Sequence, residues 1–211
     1  MKISVKKISI SAMLLSLAVI FNYISTFIPF FAFAFLNVDL SIAFVLLSFH
    51  LIGYLNSFFI CFAIGLFSIG WSTTGVIGPL ILIISNLTFI TIYFISSKLI
   101  RGQKLQILNL FNAIIFNSIL LAFLNGLFFT PLFLYVFTDV KTINFIEISN
   151  NYNSGLWFEK LKIYFMFIPN YWLGTFSLYI SFNLFKFLIG GIAFIILKNM
   201  IERNDLLNNR S

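Results

Sequence analysis

Long apolar segments alternate with short polar connections along this chain. A transmembrane helix needs about 20 predominantly apolar residues, and four segments come near that length: residues 8–27, 79–97, 107–128 and 172–197. A further apolar stretch, residues 40–71, is long for one helix and short for two. The sequence Gly53-Tyr54-Leu55-Asn56 interrupts it. This pattern favours two short helices, residues 40–52 and 56–71.

The basic residues support this division. Nine of the 13 Lys and Arg residues flank apolar segments in three groups: Lys2, Lys6 and Lys7; Lys98, Arg101 and Lys104; Lys198, Arg203 and Arg210. The positive-inside rule assigns all three groups to the cytoplasm. Crossings between the amino terminus and residue 98 must then be even in number. Residues 8–27 and 79–97 supply two, so residues 40–71 supply two more or none, and none is implausible for so apolar a stretch. The predicted fold is an all-α integral membrane protein, one membrane domain of six transmembrane helices with both termini cytoplasmic.

Two connections stand out. Residues 28–37 are rich in Pro and Phe and are expected to be an irregular link between the first two helices. Residues 138–162 form the only long polar loop. We expect that loop to be external, and it is the best candidate for a disordered segment or a lid.

The composition supports a membrane protein and excludes several kinds of site. Mean hydropathy is +1.05, and only 9% of residues are charged, too few to cover a soluble surface. The single Cys61 excludes a disulfide within the chain, and the single His50 excludes a HExxH zinc site. No phosphate-binding GxxxxGK[ST] motif is present. We therefore predict no enzyme activity, no metal and no cofactor.

Lys186 is the main candidate for function. It is the only charge between Trp172 and Leu197, where a central lysine costs about 2.5–3.5 kcal/mol on insertion scales. Asn183, three residues earlier, shares its helix face. Asn86 and Asn125 also lie within apolar segments. A buried amide needs partners, either on a neighbouring helix or on a ligand.

Two local patterns add candidates. The run from Ser72 to Pro79, with Thr74 and Gly75, is typical of a turn. It is either a simple loop or a hydroxyl-rich surface at the outer mouth of a cavity. Ala12 and Ser16 have a small-xxx-small spacing on the first helix, which permits close helix contact within the chain or with a partner.

Four segments together resemble the substrate-binding S component of energy-coupling factor (ECF) vitamin transporters, and most closely the riboflavin-type, RibU-like members. Phe182-Asn183-Leu184-Phe185-Lys186 is similar to the family's Phe-Asn-Leu-x-Lys signature in its sixth helix. The other three are the Asp39-containing start of the second helix, the turn with Thr74 and Gly75, and Asn125 with the Pro131 that follows.

The resemblance implies a six-helix subunit of the bacterial plasma membrane that captures a vitamin from outside. Its partners would be a transmembrane coupling subunit and two ATPase subunits, which would hydrolyse the ATP. The implied docking surface includes Ala12 and Ser16. The substrate-binding residues would come from this set: Asp39, Thr74, Gly75, Asn86, Asn125, Asn183 and Lys186.

Alternatives remain. The vitamin could be riboflavin or another, such as thiamine. A non-transport membrane assembly subunit could instead pair Lys186 with a carboxylate of its partner. An intramembrane enzyme is the weakest alternative, because no acid/base pair is visible near the apolar segments.

Overall fold

The computed structural model describes residues 5–30, 33–100, 102 and 105–208. The predictions for Lys2, Arg101, Lys104, Arg210 and the two chain termini lie outside these residues. The helices are α1 (Val5–Ser25), α2 (Ile42–Leu51), α3 (Tyr54–Ser68), α4 (Ile77–Leu99), α5 (Gln106–Leu124), α6 (Thr130–Phe137), α7 (Phe145–Asn153), α8 (Phe158–Leu161) and α9 (Tyr171–Asn208). A π turn (Asn125–Phe129), a 3-10 helix (Lys162–Phe165) and strands β1 (Pro29–Phe30) and β2 (Phe33–Asn37) complete the described structure.

Four helical stretches of the described chain are long and apolar enough to cross a membrane: Val5–Ser25, Ile77–Leu99, Gln106–Phe137 and Tyr171–Arg203. The chain is therefore a multi-pass membrane protein. The apolar stretch 40–71 forms two helices as predicted, and Gly53 separates them with a φ of 126°. At 10 residues, α2 spans only about 15 Å, half of a bilayer core. Six crossings thus stay a prediction.

The predicted helix over residues 107–128 is too short. Helical structure continues to Phe137 through the π turn that begins at Asn125. Pro131 lies just beyond that turn and has no backbone N–H, so it cannot complete the α-helical bond to the carbonyl four residues earlier. The wider turn accommodates the proline without ending the apolar stretch.

The chain divides into two compact units, residues 1–113 with 185–211, and residues 114–184. In the first unit, small residues bring helices close together. A Cβ on Gly65 would lie 2.0 Å from Ile83, and one on Gly190 would lie 2.0 Å from Ile42. These contacts bring α3 against α4, and α9 against α2.

Residues 28–37, expected to be irregular, include a short antiparallel hairpin. Pro29 pairs with Asn37, and Phe30 with Phe33. The Val38 N–H extends the pairing by donating to the Ile28 carbonyl at 3.0 Å. Aromatic residues favour strands, so the Phe content that suggested irregular structure is compatible with pairing.

Residues 138–162, which belong to the second unit, are ordered, so the expectation of a disordered segment was wrong. They contain α7 and α8, and Asn144 caps α7 by accepting a bond from the Ile146 N–H at 3.0 Å. A buried core holds the segment: Leu134, Val140, Ile148, Tyr152, Leu161, Phe165 and Tyr171. The Tyr152 hydroxyl donates to the Ile168 carbonyl at 2.8 Å. The segment is ordered because its apolar side chains, which alternate with polar residues in the sequence, pack together in this core.

Candidate functional site

A buried carboxylate lies just before α2. Asp39 is 4% exposed. Its Oδ1 accepts from the Ser41 N–H at 3.0 Å and from Asn22 Nδ2 at 3.2 Å. Its Oδ2 accepts from Ser41 Oγ at 2.9 Å and from Asn86 Nδ2 at 3.2 Å. A carboxylate has about four acceptor sites, so groups of the protein use the hydrogen-bonding capacity of Asp39.

A buried ammonium lies on α9. Lys186 is also 4% exposed, and its Nζ lies 3.1 Å from Ser85 Oγ and 3.5 Å from Asn86 Oδ1. The same nitrogen lies 4.9 Å from the centre of the Phe187 ring. Phe187 stacks on Phe89 with ring centres 4.3 Å apart, which holds α9 against α4 at this level. Both hydrogen-bond acceptors are neutral oxygens.

Asn86 brings these two charges into one cluster, because its amide contacts Asp39 through Nδ2 and Lys186 through Oδ1. Three of the predicted site residues, Asp39, Asn86 and Lys186, are therefore neighbours in the first unit. The 3.5 Å contact to Lys186 is at the outer limit of a hydrogen bond. The orientation of the amide is fixed mainly by its donation to the carboxylate.

Side chains that were not predicted extend the cluster. Asn22 lies between Trp71 and Asp39: its Oδ1 accepts from Trp71 Nε1 at 3.2 Å, and its Nδ2 donates to Asp39. Ser85 supplies the nearer oxygen to Lys186. We call Asn22, Asp39, Ser41, Trp71, Ser85, Asn86 and Lys186 together the Asp39–Lys186 cluster. Asn22 carried a usable signal, because it is an amide within an apolar helix.

The predicted turn residues lie between α3 and α4. Gly75 has a φ of 58°, a left-handed value that favours glycine. The Thr74 hydroxyl lies 3.2 Å from Ser72 Oγ, and it would lie 2.2 Å from a Cβ placed on Gly78. Thr74 thus packs on the first turn of α4 and bonds to its neighbour. A part in substrate binding stays a prediction for Thr74 and Gly75.

The other two predicted amides belong to the second unit. Asn125 opens the π turn and donates to the Leu121 carbonyl at 2.7 Å. Asn183 lies on α9 and donates to the Tyr179 carbonyl at 2.8 Å. Both side chains are buried, and each of these bonds is made to the preceding turn of the helix. Their contact with a ligand stays a prediction.

Ala12 and Ser16, the predicted docking residues, are exposed on α1. The buried face of the same helix carries Leu14 and Ala18 instead. Ser16 directs its hydroxyl to the Ala12 carbonyl at 2.9 Å, so the polar group is satisfied within the helix. The small pair does not pack inside the described chain, and this position leaves it open to contact from outside.

The arrangement suits binding of a polar acceptor. An ammonium has three donors, and Lys186 has two oxygens within hydrogen-bond distance, those of Ser85 and Asn86. The described residues contain no group of three or more His, Cys, Asp or Glu side chains arranged to hold a metal ion. The donors of Lys186 suit recognition of a ligand by hydrogen bonds.

The fold is similar to that of a solved protein, the S component of a bacterial ECF transporter. The TM-score is 0.68, and the match covers 94% of this chain and 96% of the solved chain. The two sequences are 21% identical. At this identity the likeness shows a common S-component fold.

No family model matches the sequence. Two mycoplasmal proteins are similar along most of their length. "Uncharacterized protein MG350.1 homolog" of Mycoplasma pneumoniae is 38% identical over 186 residues, which cover 85% of this chain and 80% of the relative. "Uncharacterized protein MG350.1" of Mycoplasma genitalium is 39% identical over 185 residues with the same coverage. This chain belongs to the family of these MG350.1 proteins.

Proposed function

We propose that this chain is the substrate-binding membrane subunit of an ECF-type transporter and captures a vitamin. Riboflavin is the first candidate for that vitamin. The observation that carries the proposal is a lysine buried inside a membrane protein, with its ammonium next to the neutral oxygens of Ser85 and Asn86. An ionisable residue at such depth is costly and usually serves function. In a substrate-binding subunit, that function would be to bind the substrate.

The charges of the cluster suggest which ligand atom Lys186 meets. Asp39 already accepts four hydrogen bonds, which favours a role in orienting Asn86. Lys186 is the group with donor capacity to spare, so the ligand supplies an acceptor. A charge-assisted hydrogen bond is short and strong when it excludes water.

A flavin ring fits this chemistry. Its pyrimidine edge carries two carbonyl oxygens, either of which can accept from the ammonium. Its dimethylbenzene edge is apolar and suits a chain with 30 Phe residues. The amides of Asn125 and Asn183 are the other proposed ring contacts, and they rest on the sequence resemblance.

We propose a transmembrane coupling subunit and two ATPase subunits as the partners. The chain has no phosphate-binding loop of its own, so ATP hydrolysis would belong to those subunits. The exposed pair Ala12 and Ser16 is the proposed contact with the coupling subunit. Vitamin uptake across the plasma membrane would then require the whole assembly.

Replacing Lys186 tests the proposal directly. Lys186→Met keeps the length and apolar volume of the side chain and removes the donor. We expect riboflavin affinity to fall about 10- to 100-fold, because a hydrogen bond to a charged group contributes about 1.5–3 kcal/mol. Quenching of riboflavin fluorescence by the purified protein measures this affinity.

The matched control is Lys7→Met, the same substitution at an exposed position on α1, which should leave affinity unchanged. A calorimetric titration with thiamine tests whether the native protein binds this vitamin instead of riboflavin. Equal riboflavin affinity for the native protein and Lys186→Met would contradict the proposed role of the lysine. A native protein that binds neither vitamin would contradict both named substrates.

A further inference from the structure

The turn between the 3-10 helix and α9 has an unusual backbone. Met166 and Phe167 have φ values of 55° and 61°, and they are the two non-glycine residues with positive φ in the described chain. Bulky residues rarely adopt this left-handed conformation. Strain of this kind persists where surrounding structure imposes it, often for a function.

The surroundings hold this turn firmly on both sides. Phe165, just before it, is fully buried, and the Phe167 N–H donates to the Lys162 carbonyl at 2.8 Å. After the turn, the Tyr171 N–H donates to Asn153 Oδ1 at 2.8 Å. Hydrogen bonds and a buried ring thus flank the turn on both sides.

The side chains of this turn are apolar and exposed. Phe167 is 61% exposed and Met166 38%. Ile163 and Leu156, in the preceding segment, are 51% and 71% exposed. The backbone conformation thus directs an aromatic side chain outward, although burial would contribute more stability.

The position of the turn relative to a membrane helix points to its partner. A Cβ on Gly174 would lie 2.7 Å from both the Cβ and the carbonyl oxygen of Phe165. Gly174 is the fourth residue of the apolar stretch that begins at Tyr171. The residue preceding Met166 is thus packed on the first turns of a helix that is long and apolar enough to cross a membrane. Aromatic residues are enriched where such helices meet the membrane surface.

We propose that Met166 and Phe167 form a wedge that inserts into the boundary between lipid headgroups and acyl chains beside the start of α9. The partner is the lipid bilayer itself. The wedge anchors the α7–α8 segment to the membrane surface through apolar contact. This inference does not depend on the identity of the transported substrate.

Spin labelling in liposomes tests the insertion. The protein carries Cys61→Ala, and a nitroxide is attached at Phe167→Cys. Its collisions with oxygen, which concentrates in lipid, are compared with those with a water-soluble nickel chelate. Reference labels are Ser154→Cys, an exposed polar position in the same unit, and Ile192→Cys, a 56% exposed position inside a span.

We expect the label at residue 167 to collide more with oxygen than with the nickel chelate. The label at residue 192 should show the same preference, and the label at residue 154 the opposite one. A label at residue 167 that favours the nickel chelate as strongly as residue 154 would overturn the proposal. A label that neither reagent reaches would also overturn it, because protein would then cover the turn.

A second measurement tests the anchoring. Phe167→Asn introduces a residue type that tolerates left-handed backbone and removes the apolar ring, whereas Phe167→Leu keeps an apolar side chain. A label at Ile163→Cys should become more accessible to the nickel chelate in the Phe167→Asn variant than in the Phe167→Leu control. Equal accessibility in both variants would show that Phe167 does not anchor the segment.

Discussion

Asp39 and Lys186 do not touch each other; the Asn86 amide lies between them, 3.2 Å from the carboxylate and 3.5 Å from the ammonium. Among the Asp, Glu, Lys and Arg side chains of the described part of the chain, these two are buried. The arrangement joins opposite charges through a neutral group. Each charge therefore influences the other through Coulomb attraction and through the orientation of one amide.

The two charges should compensate each other. Asp39→Asn leaves Lys186 without a buried countercharge, and Lys186→Met leaves Asp39 without one. Each single variant should therefore be less stable than the native protein. The double variant removes both charges. We expect its stability to lie close to the native value, well above the sum of the single losses. Thermal unfolding of the four proteins in detergent measures the coupling; additive losses would contradict it.

Asn86 should contribute stability through its amide. Asn86→Leu introduces an apolar side chain of similar shape, which removes a donor to Asp39 and an oxygen near Lys186. Leaving buried polar groups unsatisfied costs about 1–3 kcal/mol each, so the unfolding temperature should fall. Thr88→Val is the control on the same helix, because the Thr88 hydroxyl donates to carbonyls within α4. If both variants unfold at the native temperature, Asn86 does not hold the cluster.

The sequence was informative at two positions where a polar side chain interrupts an apolar segment. Lys186 and Asn86 stood out because apolar segments exclude such side chains, and the structure brings both together with Asp39. Asn22 had the same signal, yet its role depends on Trp71, which lies 49 positions further along the chain. No local pattern indicates that a turn after α3 returns to α1.

Helices were easier to predict than the connections between them. Spans follow from apolar length alone, which a single sequence displays directly. The α7–α8 segment looked polar because its asparagines are prominent, whereas its order depends on contacts such as Tyr152 with Phe165, whose ring centres are 4.6 Å apart. Such pairs are set by tertiary packing, which overrides local composition.

The topology gives a labelling prediction. Positive residues assign the α7–α8 segment to the outside and the carboxyl-terminal part of α9 to the cytoplasm. In a Cys61→Ala background, Ser154→Cys should react with an impermeant maleimide on intact cells. Asn199→Cys, also exposed, should react only after permeabilisation. The reverse pattern would contradict the predicted orientation, and labelling of both residues on intact cells would contradict the single crossing by α9 that separates them.

If the chain has the proposed transporter role, α1 should dock on the coupling subunit through Ala12 and Ser16. Ala12 and Ser16 are exposed and small, so a partner helix can approach the backbone closely there. Ala12→Trp or Ser16→Leu should reduce vitamin uptake by cells and assembly of the complex, because the added side chain separates the helices. Vitamin binding by the isolated subunit should persist, since neither residue belongs to the Asp39–Lys186 cluster.

Ser181→Leu, at a small and exposed position on α9, is the control and should retain uptake. Equal losses of binding and uptake would contradict the docking role, because the substitutions would then disturb the subunit itself.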